Sequence, residues 1–152
     1  MNIENLIKEH IEHNKRNVKA HNRMLILIEA LNNKEIPEEI ANQINKDIAS
    51  LNSFSGEDKE FTKALNKTYF KILSLVEKEL KLVPKNQYRN RWLAIGMAVF
   101  GIPLGAAFSA STGNSGSLGI GIPIGMVIGM AIGSQMDKKA EKENKQLDLE
   151  SL

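Results

Sequence analysis

A chain of 152 residues with 20 Lys and Arg against 18 Asp and Glu, a formal charge of +2 and no cysteine has room for one small folded module beside any membrane segment. The charge is near balance in each polar part, sixteen basic to thirteen acidic over residues 1–91 and four to five from Asp137 onward, which gives no electrostatic ground for nucleic-acid binding. The lack of cysteine excludes disulfide frameworks, thiolate metal sites and a lipoprotein anchor and fits a reducing cytosolic face; with no apolar h-region after Met1, no cleavable signal peptide is expected.

Residues 2–33 read as one long helix with apolar positions Ile3, Leu6, Ile7, Ile11, Val18, Met24, Leu25, Ile28 and Leu31, close to a repeat of three and four. Its middle is polar, and projecting the apolar face through it places His10, Asn14, Asn17 and His21 there. Such groups need hydrogen-bond partners, on this chain or a neighbouring subunit, and polar residues on a core face often specify register or oligomer state. Asn32 and Asn33 end the helix. Pro37 with Glu38 and Glu39 opens a second, with the stripe Ile40, Ile44, Ile48 and Leu51. Asn52 to Gly56 breaks it, and Ser55 with Asp58 three residues on suggests a capping box for a third helix. That helix carries Phe61, Leu65, Tyr69, Ile72, Val76, Leu80 and Val83 at heptad-like spacing, and Pro84 then acts as a kink or a stop.

Between Arg91 and Asp137 there is no charged residue. About 20 apolar residues span the hydrocarbon core, so this stretch suits two crossings, residues 92–110 and 118–136, joined by the uncharged turn Ser111–Ser117. Lys85, Arg89 and Arg91 before it and Lys138, Lys139 and Lys142 after it place both termini on the cytoplasmic side by the positive-inside rule. Tyr88, Arg89, Arg91, Trp92, Lys138 and Lys139 are the expected interfacial anchors. The expected architecture is an all-α membrane protein: a three-helix cytosolic module over residues 1–88, a transmembrane helical hairpin over 89–136, and a charged cytosolic tail over 137–152 that continues the second helix before fraying.

Ten of the eleven glycines lie between Gly96 and Gly133. Gly121, Gly125, Gly129 and Gly133 repeat every four residues, and Gly101 and Gly105 repeat the spacing once. In a helix these positions form one smooth face where backbones can approach closely, the usual means of helix packing in lipid. Four steps exceed what one short partner needs, so the face is expected to mediate self-association beyond packing the hairpin itself. Pro103 and Pro123 sit in the echoing segments GIPLG and GIPIG and are candidate hinges. This stretch resembles the glycine-zipper membrane hairpins of small bacterial proteins, over about the last third of the chain; the likeness is architectural.

One short motif carries chemistry. Arg16-Asn17-Val18-Lys19-Ala20-His21 is similar to the R-N-x-x-x-H pattern of HEPN domains, dimeric helical ribonucleases. By that resemblance Arg16 and His21 would be a catalytic pair, with His exchanging the proton, Arg supporting the phosphate and Asn17 orienting them. The pattern occurs here in the first helix, whereas those domains usually carry it late. A degenerate motif of this kind joined to a membrane region resembles the accessory membrane proteins of RNA-targeting (type VI-B) CRISPR systems. The resemblance implies an oligomeric inner-membrane pore of six or more chains, non-enzymatic and active in antiphage defence, with membrane lipid and an RNA-targeting effector or RNA as partners. The alternatives are a membrane-tethered ribonuclease, a holin-like protein and a membrane scaffold for a cytosolic partner. His10 and His13, with Glu9 or Glu12 nearby, make too sparse a set for a metal site, and no P-loop, nucleophile elbow or dinucleotide fingerprint is present. No metal, cofactor or small-molecule substrate is expected.

Overall fold

The computed structural model describes residues 2–7 and 15–149, which are helical apart from their turns, two two-residue strands and the segment 2–7. They divide into two compact units, one holding the chain up to Val83 together with the segment from Leu147, the other Pro84–Gln146.

The first unit contains α1 (Lys15–Asn32), α2 (Glu38–Asn52) and α3 (Asp58–Leu80). Its core joins Met24, Leu27, Ile28 and Leu31 of α1, Ile44, Ile48 and Leu51 of α2, and Phe61, Leu65, Tyr69, Ile72 and Val76 of α3. The α2 and α3 stripes are those expected from spacing as far as Val76, except that Ala41 is buried where Ile40 is only partly so; Leu80 is half-buried, and Val83, though buried, lies beyond the end of α3. Burying each large side chain contributes about 1.5–3 kcal/mol, so these faces decide the packing. The Arg23 guanidinium lies 4.5 Å from the centre of the Tyr69 ring, tying α1 to α3.

The single helix expected over residues 2–33 is corrected. Residues 2–7 are not helical. Three asparagine side chains serve their backbone: Ile3 N donates to Asn32 Oδ1 (2.8 Å), Glu4 N to Asn45 Oδ1 (2.9 Å) and Ile7 N to Asn52 Oδ1 (2.9 Å). Asn32 and Asn52 return bonds from Nδ2 to the carbonyls of Ile3 and Asn5 (3.3 Å each). A side-chain amide offers both a donor and an acceptor, so this segment satisfies its polar backbone without a helix while Ile3 and Leu6 enter the core. His10, His13 and Asn14 lie outside the described residues.

The Ser55–Asp58 capping box is also corrected. Glu57 is the N-cap and makes no side-chain capping bond, so Ser55 lies two residues outside the cap. The start of α3 is held by the Glu57 carbonyl, which accepts from Glu60 N and Phe61 N at 2.9 Å each. At its other end Lys81 adopts φ 59°, with Lys81 N on the Glu77 carbonyl (3.1 Å) and Leu82 N on that of Val76 (3.2 Å), a left-handed residue ending the helix with its N–H bonded four residues back. Pro84 therefore follows a stop and introduces no kink.

In the second unit, α4 (Gln87–Gly96), a π-helical turn (Met97–Gly101) and α5 (Ile102–Thr112) form one 26-residue helix. Gly113, at φ 65°, ends it. A 3₁₀ turn (Ser115–Ser117) leads into α6 (Leu118–Lys142). The connection satisfies itself without charge: Asn114 Oδ1 accepts from Gly116 N (2.9 Å), and the Thr112 and Ser117 hydroxyls lie 3.0 Å apart.

The expected frayed tail is replaced by a stop and a return. Asn144 at φ 55° and Lys145 N on the Ala140 carbonyl (2.7 Å) close α6. The Lys145 ammonium hydrogen-bonds Glu143 (2.7 Å) and, with its charge and that of Lys139, holds the Glu143 carboxyl below the usual carboxylate range. Gln146–Leu147 (β2) then pairs with Val83–Pro84 (β1), and Leu147 is fully buried in the core of the first unit. Leu147→Ala is expected to destabilise that unit by about 2–5 kcal/mol, measured by chemical denaturation of the full chain followed through the α1–α3 signal; unchanged stability would show that the tail does not dock.

Candidate functional site: the glycine-packed hairpin

Close backbone approach defines the seam between the two long helices. A Cβ built on Gly96 would meet Gly129 Cα at 2.8 Å, on Gly121 the Gly105 Cα at 2.6 Å, and on Gly125 the Gly101 Cα at 2.7 Å. Gly133 faces Tyr88 and Arg89, Gly129 faces the Trp92 carbonyl, and Gly105 faces Leu118. At these distances any side chain collides with backbone, so the helices must part to admit one. All seven glycines are buried. The zipper is thus filled by the other arm of the same chain, and the groove expected to recruit further copies is already occupied.

Gly96 escapes a search for four-residue spacing because Gly101 follows it by five. The π turn explains the difference. Ile102 N donates to the Met97 carbonyl, five residues back, and the wider turn carries Gly96 onto the face of Gly101 and Gly105. Pro103 follows directly, so the register changes where the chain has no N–H to give. Pro123 lies inside α6 on the exposed side, where its ring removes the donor for the Gly119 carbonyl.

The apolar side chains point the other way. Val99, Ile102, Phe108, Leu118, Ile120, Ile122, Ile124, Val127 and Met130 are all exposed, Val127 at 62%. Both helices are long and apolar enough to cross a membrane, with only 17% and 28% of their most apolar stretches buried. A core helix of a water-soluble protein shows the reverse, large apolar groups inside. Of the expected interfacial anchors, Tyr88 and Trp92 are half-buried and Arg89, Arg91, Lys138 and Lys139 are exposed.

Asp137 holds the charged end of the hairpin together. It is 6% exposed, and its two oxygens accept from Tyr88 N (3.1 Å) and Arg89 N (2.8 Å). Those amides are the second and third of α4, whose own N-cap, Asn86, makes no side-chain bond. A carboxylate from α6 therefore caps the positive end of α4, and Gln146 Nε2 bonds the Asp137 carbonyl (2.8 Å). No local motif announces this, since the partners lie 48 and 49 residues away.

The Arg16–His21 motif is not assembled as one exposed site. Asn17 and His21 are 2% and 1% exposed, whereas Arg16 is exposed; five residues apart on a helix, Arg16 and His21 fall on different faces. The Thr62 hydroxyl of α3 donates to Asn17 Oδ1, and Asn17 Nδ2 has no hydrogen-bond partner among the described residues. Both polar residues occupy the core face of α1, as the projected stripe predicts. Among the described residues no group of three or more His, Asp or Glu could hold a metal ion.

Comparison with protein-family models, curated proteins and solved structures returned no match. The seam makes a direct prediction. Gly125→Leu is expected to splay the arms, increasing the separation of spin labels placed on Val99 and Val127, whereas Gly119→Leu, where an added Cβ meets nothing within 4 Å, leaves the separation unchanged. Equal separations in both variants would show that the glycine contact does not hold the hairpin.

Proposed function

We propose that this chain is a membrane protein whose hairpin crosses the bacterial inner membrane twice, with both termini cytoplasmic, and that six or more copies assemble into a pore or membrane-perturbing effector of antiphage defence. The observation that carries the membrane reading is the inverted packing of the hairpin: glycines inside, Ile, Val, Phe and Met outside. Lipid is the solvent in which that arrangement costs little. The orientation is supported by the cations at the Asp137 end and their absence from the Gly113–Ser117 end.

Because the glycine groove is filled within each chain, copies meet through the outer aliphatic faces or through the helical module. The lining available to a pore is uncharged, with Ser109, Ser111, Thr112, Asn114 and Gln135 as its polar groups. It would discriminate little between ions, since selectivity filters use charged rings or arrayed carbonyls. The burial of His21 favours this reading over a tethered ribonuclease, because a histidine at 1% exposure does not reach a phosphodiester. The module of three helices is likewise more than a holin-like protein needs.

Val127→Arg separates a membrane segment from an exposed patch on a soluble protein. In a soluble protein a substitution at so exposed a position changes stability by less than about 0.5 kcal/mol; in a membrane helix it costs about 2.5–3.5 kcal/mol and releases the chain to alkaline extraction. Retention of the variant in the membrane fraction would contradict insertion. The mass of the detergent-solubilised particle, corrected for bound detergent, then tests assembly: a closed ring of six or more chains is expected, and a monomer or dimer leaves no room for a wide pore.

A further inference from the structure

Resting on the membrane reading, we infer that the charged end of the hairpin holds a specific site for the phosphate headgroup of an anionic phospholipid. A depression of about 320 Å³ opens there, lined among others by Lys85, Arg89, Ser134, Asp137, Lys138 and Glu141. Its volume falls within the range of small-ligand sites, roughly 300–1,000 Å³. Arg89 comes from α4 and Lys138 from α6, so the two cations converge on one space from different helices. Neither side chain has an ion-pair partner among the described residues.

Asp137 does not neutralise them. Both Asp137 oxygens are taken by the Tyr88 and Arg89 amides, so its charge is answered by the α4 backbone, leaving a guanidinium and an ammonium facing the depression. Arg89 offers a planar fork suited to two phosphate oxygens and Lys138 a point charge. The Ser134 hydroxyl lies one turn nearer the apolar part of α6 and is a further donor. Glu141 lies one turn beyond Lys138, toward the charged end, and repels an anion that moves that way. On the same face of α6, four and seven residues before Ser134, Met130 (38% exposed) and Val127 (62% exposed) start the apolar surface along which the acyl chains of a lipid would run. That continuity favours a lipid over free phosphate, which needs no apolar neighbour. A zwitterionic lipid would also bring an ammonium group toward two cations, so an anionic headgroup is preferred.

The test reconstitutes the full chain in phosphatidylcholine vesicles carrying a trace of spin-labelled phosphatidylglycerol or spin-labelled phosphatidylcholine, and reads the immobilised fraction of each by electron paramagnetic resonance. Wild type is expected to prefer phosphatidylglycerol by about fivefold for each cation engaged. Arg89→Gln with Lys138→Gln is expected to remove the preference, and salt to weaken it in wild type. Equal immobilisation of the two lipids by wild type, or a preference that survives in the double variant, overturns the site. Displacement of phosphatidylglycerol by equimolar inorganic phosphate overturns the lipid assignment. A chain that fails to insert into phosphatidylcholine alone overturns the membrane reading itself, and the site with it.

Discussion

The hairpin depends on backbone-to-backbone approach between two helices. Lipid tails are as apolar as leucine and supply no hydrophobic drive, so helices in a membrane associate through close packing and polar contacts. Seven glycines remove every side chain from the seam, and carbonyls of one arm come up against α-carbons of the other, the geometry in which weak C–H···O contacts accumulate. The same choice sends the aliphatic side chains outward. Seam and exposed aliphatic surface are thus two consequences of one residue pattern.

Register along that seam is set at its charged end. Asp137 bonds the second and third amides of α4 and couples the end of one arm to the start of the other, while the uncharged turn at Gly113 closes the far end. The π turn adjusts the first arm so that glycines spaced by five and then four meet a second arm spaced uniformly by four. Pro103, which has no N–H to give, falls at the same place, so one local irregularity answers both the glycine spacing and the missing donor.

Much of the fold was legible in the residue pattern, and the failures have physical causes. The stripes of α2 and α3 were readable because each is a regular run of large aliphatic residues with one buried face. The two long apolar helices were readable from an uncharged stretch with basic flanks. Residues 2–7 misled because Ile3, Leu6 and Ile7 mimic helical spacing, while what shapes the segment is asparagine side chains 29 to 47 residues away. Gly96 was hidden by the π turn and Asp137 by the length of chain between a cap and its helix. Leu147 is not legible because the leucines of the charged tail, at 147, 149 and 152, make no helical stripe. For the candidate site, the projection of Asn17 and His21 onto the α1 core face was correct. The four-residue glycine repeat marks the seam, but its length points to further copies as partners, whereas the other arm of the same chain lies against it.

The central claim is that residues 92–136 form a glycine-seamed hairpin with its aliphatic face in lipid. The chain lacks cysteine, so single cysteines can be introduced along both arms, spin-labelled, and compared in vesicles for collision with oxygen, which concentrates in the bilayer, and with a polar nickel complex, which does not. The account predicts high oxygen and low nickel accessibility at Val99, Ile102, Phe108, Ile120 and Ile124, with the reverse at Lys85 and Lys142. High nickel accessibility throughout the apolar positions would contradict it.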